Sequence, residues 1–197
     1  MNNKIYSLFS TPVYETIVDL NIKEEKILNN YIKNNKEKIN ISKNYILHDE
    51  KLNFLSKKIL NKINYYKNDI LKYSNNFKLT TSWITETTKI DTGGHELHSH
   101  KNCFISGVFY INEGLGFAPI EFLNFDNSGF YLKPTEWNNY NSYNFKINIK
   151  KNMLLLFPSK LLHKIGKHNS DISRHSIAFN VIPVGEIGEG DSTLILK

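Results

Sequence analysis

Six of the chain's seven histidines lie between residues 95 and 175: His95, His98, His100, His163, His168 and His175. The first three belong to one stretch, GGHELHSHKN, residues 93–102. His98 and His100 are two apart, so on an extended segment their side chains point to the same side. Two imidazoles so placed can share a metal ion, each offering one ring nitrogen. A third ligand is needed to hold the ion firmly. His163 follows the apolar run MLLLF (153–157) and the turn residues Pro158 and Ser159. That separation is long enough for a series of short strands to bring the chain back to face its first strand. An H-x-H pair by itself is a weak signal, because surface histidine pairs are common.

A second feature strengthens it. The chain has 24 lysines, 27 asparagines and 24 isoleucines but one arginine, Arg174. Such a bias resembles an AT-rich coding sequence, in which lysine fills the positions that need only a positive charge. Arginine's planar fork grips a carboxylate or phosphate through two parallel hydrogen bonds, and an ammonium does not. In a strand over RHSIAFN, Arg174, Ser176, Ala178 and Asn180 share one face, while His175, Ile177, Phe179 and Val181 share the other. The first face is small and polar and suits the inside of a ligand-holding barrel. The second is bulky and suits packing against another layer. An arginine with a serine two residues on, facing a cavity, reads as an anion site for which a carboxylate is a natural guest.

The elements that must position these residues fall into two textures. Residues 4–18 read as an extended segment. Helices are predicted over 21–35 and 50–73, the second with Leu52, Leu55, Ile59, Ile63, Tyr66 and Ile70 on one stripe and Asp49 as its N-cap. Beyond residue 77, short β-type runs alternate with Gly, Asn and Pro. Strands are predicted near 77–91, 103–112, 119–125, 129–133, 143–149, 153–157 and 173–183. Strands without interleaved helices suggest an antiparallel barrel or jelly roll, and helices that precede them pack on its outside. The expected architecture is mainly β with N-terminal α-helices. It forms one domain over 1–197, with the strand and bracing helices in 1–78 and the metal-bearing core in 79–197.

Length and composition agree with that picture. The 197 residues suffice for one domain, and 40% of them are hydrophobic. The N-terminus, MNNKIYSLFSTPVY, lacks the pattern of an export signal. No apolar run is long enough to span a membrane. Cys103 is the sole cysteine, which excludes an internal disulfide and a cysteine-based zinc site. The expected location is cytoplasmic, or the host cytoplasm if the chain is phage-encoded. The net charge of +6 arises in residues 1–78, where 14 lysines face 8 acids. Spread along helices, it reads as a solvated surface and does not select nucleic acid.

Taken together, LFSTPVY (8–14), SWITETTKIDTGGHELHSHKNCFISGVFYIN (82–112), LLLFPSKLLHKIG (154–166) and RHSIAFN (174–180) resemble the Fe(II)/2-oxoglutarate-dependent oxygenase superfamily. Within it they are similar to a group of bacterial and phage oxygenases of unknown substrate. The resemblance implies a double-stranded β-helix of the jelly-roll kind, Fe(II) as metal and 2-oxoglutarate as cosubstrate. It implies that His98, His100 and His163 ligate the metal, and that Arg174 and Ser176 hold the distal carboxylate of the cosubstrate. Tyr110 resembles the tyrosine that prolyl-hydroxylase-like members set against that carboxylate, and Asn102 is a candidate polar wall. The partners implied are the cosubstrate and an unidentified prime substrate, and a homodimer is compatible with the sequence.

One position departs from the pattern. The superfamily usually has Asp or Glu where this chain has His100, so three neutral imidazoles leave the site one charge more positive. That favours a dianionic cosubstrate, or alternatively a shift toward Zn or Ni. Glu96 and Glu121 are the carboxylates that could complete a usual triad. Two rivals remain at this level: a non-catalytic jelly roll that binds a metal or small acid, and a cupin-like three-histidine dioxygenase without 2-oxoglutarate. Of the other residues, His95 reads as a loop or supporting residue, and His168 and His175 as surface histidines. Trp83 reads as core packing in preference to a channel wall, Cys103 as buried packing, and Gly93–Gly94 as turn chemistry.

Overall fold

The structure, a computed structural model, describes residues 3–90, 96–124, 130 and 132–197. The chain enters along β1 (Tyr14–Ile17) and turns into α1 (Ile22–Lys33). A reciprocal cap starts this helix: Glu24 N–H donates to Asn21 Oδ1 at 3.0 Å, and Asn21 N–H to Glu24 Oε2 at 2.8 Å. Its buried face carries Leu28, Tyr31 and Ile32. The predicted 50–73 helix resolves into three parts. A 3₁₀ turn over Glu50–Leu52 is capped by Asp49, then comes α2 (Asn53–Tyr65), then a π-helical turn over Tyr66–Leu71. Leu52, Leu55, Ile59, Ile63 and Tyr66 are fully buried, as the stripe requires, but Ile70, in the π-helical turn, is 38% exposed and leaves it.

The strands are β2 (Asn76–Thr87), β3 (Ile105–Tyr110), β4 (Ile120–Leu123), β5 (Asn144–Ile147), β6 (Met153–Pro158), β7 (His163–Ile165), β8 (Arg174–Ile187) and β9 (Leu194–Leu196). They build two antiparallel sheets. The larger has the order β1–β6–β3–β8–β2 with β9 paired to β8, and the smaller the order β5–β4–β7. The short β7 and β9 were not expected. The strand expected at 129–133 is not seen among the described residues: Phe130, Leu132 and Lys133 are irregular, and residues 129 and 131 lie outside those described.

Alternation along the strands divides the larger sheet into two faces. Ile105, Phe109, Leu154, Leu156, Ile177 and Phe179 bury themselves against the helices. Tyr110, Met153, Leu155 and Phe157 face the smaller sheet, where Ile120 and Phe122 meet them. The order of layers is therefore helices, larger sheet, smaller sheet. Two local devices keep this arrangement. β2 shifts register by one residue between Leu79 and Ser82. This bulge changes which parity faces the helices, so Ser82 and Ile84 turn to the helical core while Trp83 and Thr85 line the space between the sheets. On β3, residue 107 is glycine because the Phe179 ring occupies the place of a side chain: a Cβ there would lie 2.2 Å from Phe179 Cζ.

Candidate metal centre

His163 opens β7, on the smaller sheet opposite Phe122 of β4. His98 lies across from it in an isolated antiparallel bridge. His98 N–H donates to the His163 carbonyl at 3.0 Å, and His163 N–H donates back at 2.9 Å. The H-x-H segment thus adds to the edge of the smaller sheet as a further extended stretch, and its period of two brings His100 to the same side as His98. One ring nitrogen from each of His98, His100 and His163 lies within 4.8 Å of the others. Among the described residues this is the one cluster of three or more such side chains able to hold a metal ion.

The rings are oriented for that task. His98 Nδ1 lies 2.6 Å from the Glu96 carbonyl, and His163 Nδ1 lies 2.9 Å from the Leu161 carbonyl. A carbonyl only accepts, so Nδ1 is the donor in both rings, which leaves Nε2 as the nitrogen that can ligate a metal. The His100 ring stacks at 5.2 Å and 6° on His163 and lies 5.9 Å from Trp83. Burial, reinforced by the neighbouring His98, pushes the His100 imidazole down to about 4, so at neutral pH it is uncharged and able to ligate. Three imidazoles with ring nitrogens this close fit a divalent transition metal.

The cavity beside the histidines runs between the two sheets and has a volume of about 80 Å³. Arg174, Ser176, Tyr110 and Thr85 line it along with the three histidines. Cross-strand pairing sets them in a row: Ser176 stands opposite Thr85 on one side and Tyr110 on the other, and Arg174 opposite Thr87. Arg174 is 1% exposed. One terminal nitrogen donates to the Ala118 carbonyl and the other to Thr87 Oγ1, both at 2.9 Å. Its Nε has no partner among the described residues. The guanidinium carbon sits 5.5 Å from the Tyr110 ring. Burial lowers the arginine's affinity for its proton, with the nearby Tyr110 opposing that. Burial raises the Tyr110 hydroxyl to about 12, so it remains a neutral donor.

Several expected residues take other places. Asn102 is exposed, in a left-handed turn at φ 56°, and does not line the cavity. Glu121 is buried but points to Lys146 at 2.9 Å and Lys164 at 3.6 Å. Glu96 meets the cluster through its carbonyl alone. Trp83, read from sequence as core, lines the cavity because of the β2 bulge. His168 is not a surface residue: it is 2% exposed, accepting from Ala118 N–H at 3.3 Å through Nδ1 and donating through Nε2 to the Ile172 carbonyl at 2.9 Å. His175 is half-buried and lies 3.3 Å from Glu86. Cys103 is half-buried. His95, Gly93 and Gly94 lie outside the described residues. Sequence reasoning missed Thr85, Thr87 and the Ala118 carbonyl. The only available signal for the threonines was the small polar alternation in TSWITET.

Residues 81–180, about half of the chain, match a family model described as "Putative 2OG-Fe(II) oxygenase". The chain belongs to the 2OG-Fe(II) oxygenase family. No curated protein sequence matches it. Among solved structures, it is similar to HygX from Streptomyces hygroscopicus with nickel and 2-oxoglutarate bound. That likeness has 11% identity and a TM-score of 0.58, over 88% of this chain and 82% of HygX. A Pseudomonas putida prolyl-4-hydroxylase gives 12% identity and a TM-score of 0.56 over 89% and 87% of the two chains. A Trichoplax adhaerens prolyl hydroxylase in complex with a hypoxia inducible factor peptide gives 14% and 0.57 over 86% and 83%. At such identities the likeness is one of fold. As a 2OG-Fe(II) oxygenase the chain is an oxidoreductase that uses Fe(II) and 2-oxoglutarate. No helix among the described residues is long and apolar enough to cross a membrane.

Proposed function

We propose that the chain is a single-domain double-stranded β-helix whose two sheets enclose an Fe(II) centre held by His98, His100 and His163, with 2-oxoglutarate anchored on Arg174. The observation that carries this reading is Arg174. A buried cation without a buried carboxylate beside it is costly unless a ligand supplies the charge. Here the unpartnered Nε and the remaining guanidinium protons are left for an anion. The three histidines share the same cavity. A dicarboxylate with a keto-acid end suits both ends at once. Ser176 and Tyr110 add hydroxyl donors to the distal carboxylate. Thr87 and Ala118 fix the guanidinium plane.

When bound, Fe(II) supplies the activation of oxygen that couples cosubstrate decarboxylation to substrate oxidation. The residues of the chain position and shield it. The Nδ1 bonds of His98 and His163 hold their rings, Trp83 covers His100, and Phe122 and Phe157 pack around His163. The cavity of about 80 Å³ is well below the ~300–1,000 Å³ of pockets that enclose a drug-sized ligand. The cosubstrate therefore occupies it, and the prime substrate presents only its reacting group at the mouth. Arg174 also separates this reading from a metal-binding barrel without 2-oxoglutarate, since neither a structural metal nor a cosubstrate-free dioxygenase needs a buried arginine in the cavity.

Succinate release from 2-oxoglutarate in the presence of Fe(II), without a prime substrate, tests the reading. We expect slow turnover by the native protein and none by His163→Ala. Equal release by both would remove the three-histidine centre from the reaction.

A further inference from the structure

The backbone of Ser159 links the histidine segment to a chain of polar side chains that the roles above leave unused. It begins at the β2 bulge, where Asn180 Nδ2 of β8 donates to Thr81 Oγ1 at 3.1 Å. Asn180 Oδ1 lies 3.2 Å from Ser106 Oγ on β3, and Ser106 Oγ lies 2.9 Å from Ser159 Oγ in the turn after β6. A serine has one hydroxyl proton, so if Ser106 donates to the amide oxygen it accepts from Ser159. Both serines are buried. Ser159 then meets the His100 backbone: its carbonyl accepts the His100 backbone N–H at 2.9 Å. Its own N–H donates to the Phe104 carbonyl at 3.0 Å, which ties down the far end of the same loop.

His100 is the ligand that depends on such support. The His98 and His163 rings are each fixed by an Nδ1 bond to a carbonyl. Among the described residues the His100 ring makes no hydrogen bond, so its place follows from its backbone, from stacking on His163 and from a tilted contact with Trp83. We propose that Thr81, Asn180, Ser106 and Ser159 act as a positioning chain for His100, with the β2 bulge as its outer anchor. A bulge re-aims a side chain beside a functional site. Here it turns Thr81 toward Asn180, and the hydroxyl–amide–hydroxyl series carries that placement across three strands to the loop. The inference rests on the metal role proposed for His100.

The test measures Co(II) affinity by competition with a chelating dye, the visible absorption of the Co(II) form, and the thermal midpoint of the metal-free protein. Ser106→Ala removes the middle link, and Thr81→Val removes the outer one should the first variant fail to fold. Removing a partner bonded directly to a metal ligand typically weakens metal binding ~10–100-fold; these links act through the Ser159 backbone, so the expected loss in each variant is at the lower end, about tenfold, with an altered Co(II) spectrum. In a His100→Ala background, Ser106→Ala should cause no further loss. Native affinity in both Ser106→Ala and Thr81→Val, or the same fold-loss with and without His100, would overturn the positioning chain. If His163→Ala binds Co(II) as tightly as the native protein, the metal assignment itself fails. Loss of binding in His163→Ala but not in Ser106→Ala or Thr81→Val would overturn the chain alone.

Discussion

At the scale of single residues, the proposed ligand His100 sets this site apart, because the resemblance puts an imidazole where the superfamily usually has a carboxylate. Its neighbours are apolar or aromatic, and its ring is held by stacking. His100→Asp restores a two-histidine, one-carboxylate donor set. We expect the variant to retain iron, with equal or faster succinate formation. Loss of iron in His100→Asp but not in His100→Ala would take His100 out of the ligand set. The same residue gives a pH dependence whose sign can be worked out. Its folded value, about 4, lies below the ~6.5 of an unfolded chain. As pH falls from about 6.5 to about 4, the unfolded chain takes up the proton first, so the metal-free protein loses stability over that window and is unaffected by His100 above it. Urea midpoints at pH 7 and pH 5 should therefore differ more for the native protein than for His100→Ala. His175, also pushed down by burial, is present in both and drops out of the comparison. An equal drop in the two proteins would contradict the assignment. That His98 and His100 share a side, and that Arg174 and Ser176 do, was legible in the sequence, because a period of two fixes which side chains share a side. His163 was pointed to by its place after the 153–157 run and by the resemblance, and it lies beside the pair. His168 was not legible: its local pattern does not show that the Ala118 N–H, 50 residues away in the chain, would meet one ring nitrogen while the nearby Ile172 carbonyl meets the other in the interior.

At the scale of elements, the long strands and helices could be read from apolar periodicity, whereas the pieces that complete the site could not. β7 is three residues long, too short to show an alternation, yet it carries His163. The β2 bulge is a register feature that depends on the pairing with β8, so sequence placed Trp83 in the core when it lines the cavity. Gly107 makes the same point from the opposite side. It sits in a strand interior, where glycine is weakening, because the Phe179 ring fills its side-chain space. Gly107→Ala forces that buried ring aside and overpacks the core, which costs about 1–3 kcal/mol. The expected result is a lower urea midpoint with an unchanged slope. Native stability in Gly107→Ala would mean that Phe179 has room to move.

At the scale of the whole molecule, three layers divide the work. Helices and the outer face of the larger sheet form the main apolar core. The inner face and the smaller sheet form a second core around the cavity, and the histidines and Arg174 share that inner cavity. The excess positive charge lies in the helical N-terminal part, so the electrostatics that matter at the cavity are local ones, set by the buried Arg174 and by the proposed metal site. Charge-assisted hydrogen bonds contribute about 1.5–3 kcal/mol each. Arg174→Lys keeps the charge but loses the planar fork. The decisive measurement is an anaerobic titration of 2-oxoglutarate into the Fe(II) protein, followed through the absorption band that appears when the keto acid chelates the metal. The account predicts saturable binding by the native protein. It predicts binding weaker by about 1–3 kcal/mol in Arg174→Lys, roughly 5–150-fold at 1.36 kcal/mol per factor of ten, with iron content unchanged. Superimposable curves for the two proteins would contradict it.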